Sequence, residues 1–328
     1  MTIPRPKVIN WGIIGLGKIA NKFAQDLLKV ENTQLYAVAS RSQKKANEFA
    51  ETYSAVRAYG DYETLAKDVN IDAIYIGSPH AFHKAHTLLC LNHKKAVLCE
   101  KPFAMNLSEV DQMIATAKAN NTLLMEALWT YFLPHYQFVL QHIKEETFGN
   151  ILKIEADFGF QAALDLNSRL FNKSLGGGSL LDIGIYPIFA ALSTLGTPIH
   201  IDSKATFFEN DVDSSCLMLF SYGSGVEAHL KSTLLENTAT EAVFYCEYGI
   251  IKINSGFNRP SSVTLISEEK EETTKFDCET NGFSFEILHF NELIRSHKTE
   301  SPIMSFDFSR KLIQLLDTVR TQIGLKYE

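Results

Sequence analysis

The sequence predicts an α/β domain on a parallel sheet over residues 1–125, followed by an α+β domain on a large, mostly antiparallel sheet over 126–328. Three observations predict it. Short apolar runs alternate with amphipathic stretches in the first part, the pattern of strands joined by helical crossovers. Beyond Gly149 the apolar runs follow one another with no helix between them. The chain has 328 residues, 45% hydrophobic and 21% charged, which suffices for two globular domains.

Strands are expected at Val8–Ile14, Leu35–Ser40, Ala73–Gly77, Ala96–Glu100 and Thr122–Glu126, each short and apolar like strands covered on both faces. Between the first two, Ile19, Phe23, Leu27 and Val30 form a helical stripe over Ile19–Val30. Ser42 caps a helix through Tyr53. Phe82–Leu91 and Leu107–Asn120 behave likewise, the latter with Asn106 or Ser108 as its cap. The pattern changes over Glu126–Gly149. Strands then follow at Ile151–Phe160, Ile201–Phe208, Cys216–Tyr222, Val226–Leu234, Glu241–Ile253 and Ser262–Ser267. The alternation Val226-Glu227-Ala228-His229-Leu230-Lys231 suits a sheet with one wet face. The run Glu268-Glu269-Lys270-Glu271-Glu272 reads as a solvated turn, and helices Phe283–His297 and Phe306–Ile323 close the chain.

Thirty-one Lys and Arg against 38 Asp and Glu give a net charge of −7. Such a chain has no general attraction for nucleic-acid phosphates or anionic lipid, so neither nucleic acid nor membrane is expected as a partner. No stretch approaches the roughly 20 apolar residues of a membrane span. The start, MTIPRPKVINW, shows no signal-peptide core. Five scattered cysteines (Cys90, Cys99, Cys216, Cys246 and Cys278) form no Cys-x-x-Cys pair, which points to a reducing, cytoplasmic setting. His80, His83 and His86 lie three apart, but no cysteine pair or acid completes a site. No metal is expected, and the three read as a helix start.

The first strand runs into Gly15-Leu16-Gly17-Lys18-Ile19-Ala20, a Gly-x-Gly-x-x-Ala turn into a helix. Gly15 permits the tight turn, Gly17 lets a pyrophosphate approach the backbone, and Ala20 lets the helix pack closely on the sheet. Lys18 and Ile19 open that helix, whose exposed N–H groups and dipole favour a diphosphate. The strand–turn–helix context separates this from a bare glycine turn. The second strand ends Ala39-Ser40-Arg41-Ser42, with no acid for a ribose 2′-hydroxyl. Ser40 and Arg41 can instead hold a 2′-phosphate, Arg41 through its fork of donors, with Lys44 and Lys45 adding positive potential. NADP is therefore the expected cofactor and NAD the alternative; in the plainer reading Arg41 only opens a solvated helix.

Two further segments bear on chemistry. Cys99-Glu100-Lys101-Pro102 stands at the carboxyl end of a parallel strand, where ligands of open α/β sheets bind. Gly176-Gly177-Gly178-Ser179-Leu180-Leu181-Asp182-Ile183-Gly184-Ile185-Tyr186-Pro187 lies in the second domain. If Ser179 caps a helix there, Asp182 and Tyr186 share one face. From spacing alone, Lys101 is a surface lysine, Asp182 a helix-start carboxylate and Tyr186 a half-buried helix tyrosine.

Together, Gly12-Ile13-Ile14-Gly15-Leu16-Gly17-Lys18-Ile19-Ala20, Ser78-Pro79 followed by His83, Glu100-Lys101-Pro102 and the Gly176–Pro187 block resemble the Gfo/Idh/MocA oxidoreductases over nearly the whole chain. Glu126-Ala127-Leu128-Trp129-Thr130-Tyr131-Phe132-Leu133-Pro134 and Arg169-Leu170-Phe171 are most similar to the branch holding dimeric dihydrodiol dehydrogenase and NADP-dependent D-xylose dehydrogenase. The resemblance implies a Rossmann domain and an open-faced sheet domain, paired into a homodimer through that sheet. It implies Lys101 as the essential lysine by substrate and nicotinamide, and Asp182 and Tyr186 at the aspartate and proton-transfer positions. It sets Ser78, Pro79, His83 and Glu100 beside the cofactor. Trp129, Phe132 and Arg169 are candidate substrate contacts, with core packing and surface salt-bridging as their plainer readings. This branch often carries arginine where the chain has Tyr131.

On this reading hydride passes between nicotinamide C4 and a CH–OH carbon of an aldose or cyclic trans-diol. Free tyrosine has a pKa of about 10, so Tyr186 needs the Lys101 ammonium to favour its phenolate. The same ammonium steadies developing alkoxide charge, and Asp182 orients the substrate hydroxyl or the lysine. A keto-sugar or other carbonyl reductase, and an NADP-binding regulatory protein without turnover, are the competing readings. The intact set of Lys101, Asp182 and Tyr186 favours an enzyme.

Overall fold

The computed structural model describes residues 6–163, 165 and 168–327. In chain order the elements begin β1 (Ile9–Ile14), α1 (Lys18–Leu27), β2 (Thr33–Ala39), α2 (Gln43–Tyr53), β3 (Arg57–Tyr59), α3 (Tyr62–Lys67), β4 (Ala73–Ile76), α4 (His83–Asn92), β5 (Ala96–Glu100), α5 (Leu107–Asn120) and β6 (Leu124–Ala127). There follow α6 (Pro134–Lys144), β7 (Ile151–Gly159), α7 (Ile185–Leu195), β8 (His200–Phe207), β9 (Asp213–Ser221), β10 (Glu227–Thr233), β11 (Ala242–Cys246), β12 (Gly249–Ile253), β13 (Ser262–Ile266), β14 (Glu271–Lys275), α8 (Phe283–Arg295) and α9 (Phe306–Gln322).

Two compact units emerge, and a single cut does not separate them. The first runs to Trp129 and regains the chain over Glu279–Arg310; the second holds Thr130–Cys278 and the chain from Lys311 on. The contiguous segments 1–125 and 126–328 are therefore not the units. The physical reason lies at the start of α8. The buried Asp26 carboxylate on α1 accepts from Asn281 N at 2.9 Å, Asn281 Nδ2 at 2.8 Å and Phe283 N at 2.8 Å, doing the work of a cap that Gly282 cannot do. Trp11 Nε1 on β1 donates to Asn291 Oδ1 on α8 at 3.0 Å. Phe23 on α1 stacks on Tyr75 at 3.7 Å and meets Phe283 edge-on at 6.1 Å.

The first unit is built on a six-stranded sheet in the order β3-β2-β1-β4-β5-β6, parallel throughout. Its middle strands are buried on both faces, which is why β4 and β5 read as unbroken apolar runs. The second unit holds an eight-stranded sheet in the order β14-β13-β12-β11-β7-β10-β9-β8. Only β7 and β10 pair in parallel; the other neighbours are antiparallel. Ala228, Leu230 and Ser232 of β10 are buried while His229 between them is exposed, so one face of the sheet is dry and the other wet.

Several expectations need correction. Glu241–Ile253 is not one strand but the hairpin of β11 and β12, in which Cys246 pairs with Gly249. The acidic run is not all turn: Ser267 N bonds Lys270 O, and from Glu271 the chain becomes β14, a charged edge strand. The elements β3, α3 and α6 add to those expected. Lys173–Leu195 is long and apolar enough by composition to cross a membrane, against the expectation that no stretch approaches that length; 89% of its most apolar window is buried, as in the core helix of a globular fold.

Candidate active site

Gly15-Leu16-Gly17 joins β1 to α1. Gly15 has φ +87°, and a Cβ there would stand 2.5 Å from Ser78 N, so the turn after β1 packs on the end of β4 closely enough to require glycine. Gly17 has open space where a Cβ would be, and α1 starts behind it with no side-chain cap. A ten-residue helix thus offers an open N-terminus bordered by Lys18 and Ile19, which suits diphosphate oxygens. Ala20 is fully buried where the helix meets the sheet. At the end of β2, Ser40 N bonds Tyr59 O at 3.1 Å and Ser40 Oγ accepts from Ser42 N at 3.3 Å. Arg41 is exposed, and α2 begins behind it with Ser42 as its cap, as expected.

The turn after β5 is held by side chains on the peptide groups either side of Lys101–Pro102. Glu100 Oε2 accepts from Lys101 N at 3.2 Å, His83 Nδ1 lies 2.8 Å from Pro102 O, and Glu126 Oε1 accepts from Phe103 N at 2.9 Å. The Lys101–Pro102 peptide is cis. Tyr75 donates its hydroxyl to Glu100 Oε1 at 2.5 Å; burial, then the Glu100 charge, pushes that phenol well above its ordinary range. Burial pushes the Glu126 carboxyl up to about 7, with Glu100 adding to the rise and hydrogen bonds from Ser309 and Phe103 opposing it. His83 Nε2 lies 2.8 Å from Ser78 O, and Ser78 Oγ meets His86 Nδ1 at 2.9 Å. Pro79 leads into the 3-10 turn His80–Phe82, so the three histidines do form a helix start. Among the described residues no three His, Cys, Asp or Glu side chains form a group that could hold a metal ion.

In the second unit the glycine block is anchored by a buried acid. Gly178 has φ +120°, and a Cβ there would fall 1.9 Å from Asp213 Oδ1. Asp213 Oδ2 accepts from Ser179 Oγ at 2.9 Å and from Leu180 N at 2.6 Å. Ser179 is therefore not a helix cap. Its backbone is already helical, and its hydroxyl is turned to Asp213. Leu180–Gly184 forms one π-turn ahead of α7, a widened turn that recurs at functional sites and here carries Asp182. Arg169 Nη2 donates to Asp182 Oδ1 at 2.8 Å, so these two candidates come together as a pair. Tyr186 is nearly buried on α7, its ring 5.7 Å from Phe158. Phe132 is buried, and Tyr131 packs edge-on against Phe189 at 5.1 Å. Back in the first unit, Trp129 is half-buried and stacks on Phe283 at 4.5 Å.

Within the first unit the structure thus gathers Gly15, Ser78, His83, Glu100 and Lys101; within the second it joins Arg169 to Asp182. Sequence reasoning missed Glu126 and Asp213. The signal for Glu126 was a lone acid inside the apolar strand Leu124-Met125-Glu126-Ala127, where an ionisable group is rarely without a structural partner.

Residues 9–128 match the model of an oxidoreductase family with an NAD-binding Rossmann fold, and residues 136–252 match the GFO/IDH/MocA C-terminal domain. The trans-1,2-dihydrobenzene-1,2-diol dehydrogenase of Xenopus tropicalis is 36% identical over 97% of this chain and 98% of its own length. The scyllo-inositol 2-dehydrogenase (NADP(+)) of Bacillus subtilis (strain 168) is 33% identical over 98% of each chain. A solved 3-ketoreductase from Actinomadura kijaniata, in complex with NADP and TDP-benzene, superposes with a TM-score of 0.87 at 26% identity, over 96% of this chain and 98% of that one. Motifs, both sheets and full-length similarity agree: the chain belongs to the Gfo/Idh/MocA family of oxidoreductases.

Proposed function

We propose that this chain is an NADP-dependent dehydrogenase that moves hydride between nicotinamide C4 and a CH–OH carbon of a sugar or a cyclic trans-diol. The observation that carries the reading is the turn after β5, where Glu100 secures the peptide group before Lys101 and His83 and Glu126 secure the two ends of the Pro102–Phe103 peptide. Such fixing is what an electrostatic catalyst needs, because a preorganised charge costs no reorganisation during the reaction. The relatives add support: two are named as dehydrogenases of a diol and an inositol, and NADP stands in the name of one and in the structure of a third protein.

Gly15, Gly17, Lys18 and Ile19 would hold the diphosphate, and Ser40 and Arg41 the 2′-phosphate. Ser78, Pro79, His83 and Glu100 would border the nicotinamide end. Bound there, the nicotinamide accepts or supplies the hydride. Tyr186 takes the hydroxyl proton in oxidation and returns it in reduction. The Lys101 ammonium favours the phenolate form of Tyr186 and steadies negative charge on the substrate oxygen. Asp182 orients the reacting hydroxyl, and Arg169 fixes Asp182 in turn. Trp129 and Phe132 supply apolar surface to the substrate. Homodimerisation through the second-unit sheet belongs to the same proposal. Its open face has a broad hollow of about 780 Å³ in which Asp202, Lys204, His229, Lys231 and Glu241 mix with Leu217 and Leu219. Buried thiols at Cys90, Cys99 and Cys216 suit a cytoplasmic setting.

The test is a fluorescence titration with NADPH and NADH, followed by aldoses, inositols and cyclic trans-diols with NADP. Tighter binding of NADPH with turnover on this panel is the expected result. NADPH binding with no turnover on any member would favour a regulatory protein, and preference for NADH would overturn the assignment of Ser40 and Arg41.

A further inference from the structure

His83 is the first residue of α4 and is fully buried. Its Nε2 lies 2.8 Å from Ser78 O and its Nδ1 2.8 Å from Pro102 O. Both partners are backbone carbonyl oxygens, which only accept hydrogen bonds. A neutral imidazole carries one N–H. It would satisfy one carbonyl and press a ring lone pair against the other at hydrogen-bond distance. The imidazolium satisfies both. We propose that His83 is held as a buried imidazolium that clasps the Ser78–Pro79 turn to the Lys101–Pro102 turn, and is thereby a positioning residue for Lys101. The functional half of this rests on Lys101 being the catalytic lysine.

The surroundings accommodate that charge. His80 and His86 face it from its own segment, and its bond to Pro102 O brings it to the turn that Glu100 and Glu126 hold through Lys101 N and Phe103 N. The His80 and His83 rings are 5.7 Å apart. Two charge-assisted bonds to carbonyls offset the loss of water around the ring. His86 is driven down to about 4, by burial first and by its electrostatic neighbours His83 and Arg41 next, so it stays neutral and competes for no proton. The link fixes the Pro102–Phe103 peptide, one residue beyond Lys101, against the β4 turn. Without it, the backbone from which the ammonium projects would keep its ties to Glu100 and Glu126 but lose its tie to the neighbouring turn.

The protonation state is measured on the wild-type protein, free of dinucleotide, with 15N-labelled histidine and long-range 1H–15N spectra from pH 6 to 8. Among ten histidines, one is expected to show both ring nitrogens protonated at every pH, and to be absent from His83→Gln. If every ring is neutral at pH 8, the proposal is overturned. The presence or absence of that imidazolium is read on the wild type alone and needs no turnover; its assignment to His83 is made with His83→Gln shown to be folded by its other histidine signals. On the panel of diols and sugars, His83→Gln is expected to lose at least tenfold in kcat with KM changed less than threefold; wild-type kcat in the folded variant would overturn the positioning role. An imidazolium signal in a wild-type protein that turns nothing over supports the clasp and overturns the reading of Lys101 instead.

Discussion

Asp213→Asn tests how a buried acid supports the turn that carries Asp182. Asp213 is fully buried, its Oδ2 accepts from Ser179 Oγ and Leu180 N, and its Oδ1 has no hydrogen-bond partner. Burial pushes the carboxyl from 3.8 up to about 7, against the bonds from Leu180 and Ser179. The folded value lies above the unfolded one, so this group's contribution to stability is complete below the unfolded value and is lost as the pH rises through about 7. At about 1.4 kcal/mol per pH unit, the loss totals roughly 4 kcal/mol, of which about 3 falls between pH 5 and pH 8. Asparagine keeps an acceptor for Ser179 and Leu180 and carries no charge. Urea unfolding at pH 5, 6, 7 and 8 should therefore show the variant gaining about 3 kcal/mol on the wild type across that range. Glu126, pushed up to about 7, adds a slope of the same sign to both proteins, so the difference between them isolates Asp213. Parallel curves for the two proteins would refute the reasoning.

Arg41→Ala removes the donor fork assigned to the 2′-phosphate; a charge-assisted pair is worth about 1.5–3 kcal/mol, so the Kd for NADPH should rise about 10–100-fold in fluorescence titration while that for NADH holds. Asp26→Ala leaves Asn281 N and Phe283 N without their buried acceptor at the start of α8, and calorimetry should show a loss of roughly 3 kcal/mol or more in the first unit.

The first sheet was legible because β1, β4 and β5 are buried on both faces, and β2 over most of its length, so that they carry mostly apolar runs. β3 has three residues and α3 six, too few for either period to declare itself. The start of α6 was marked by Pro134 at its first turn, a signal that periodicity alone passes over. The allegiance of α8 was not legible, because Asp26 and Asn281 lie 255 positions apart and only the folded chain joins them. Ser179 looked like a cap, as serine before an apolar run often does, yet its hydroxyl answers to Asp213, a residue no local pattern ties to it. The glycine turn itself was readable: Gly15 takes the positive φ of a tight turn packed on Ser78, and Gly17 has open space where a Cβ would be. His83 came through resemblance alone. Its clasp depends on two carbonyl groups, and backbone acceptors leave no mark on side-chain pattern.

The central claim is that the Lys101 ammonium drives the chemistry. Turnover of a diol or sugar with NADP in Lys101→Met, against the wild type, tests it most directly. Methionine keeps the length of the side chain and removes its charge. The account predicts a fall in kcat of about 100-fold or more, some 3 kcal/mol or more of lost transition-state stabilisation, with NADPH still bound. A variant that binds NADPH and turns over within tenfold of the wild type would contradict it.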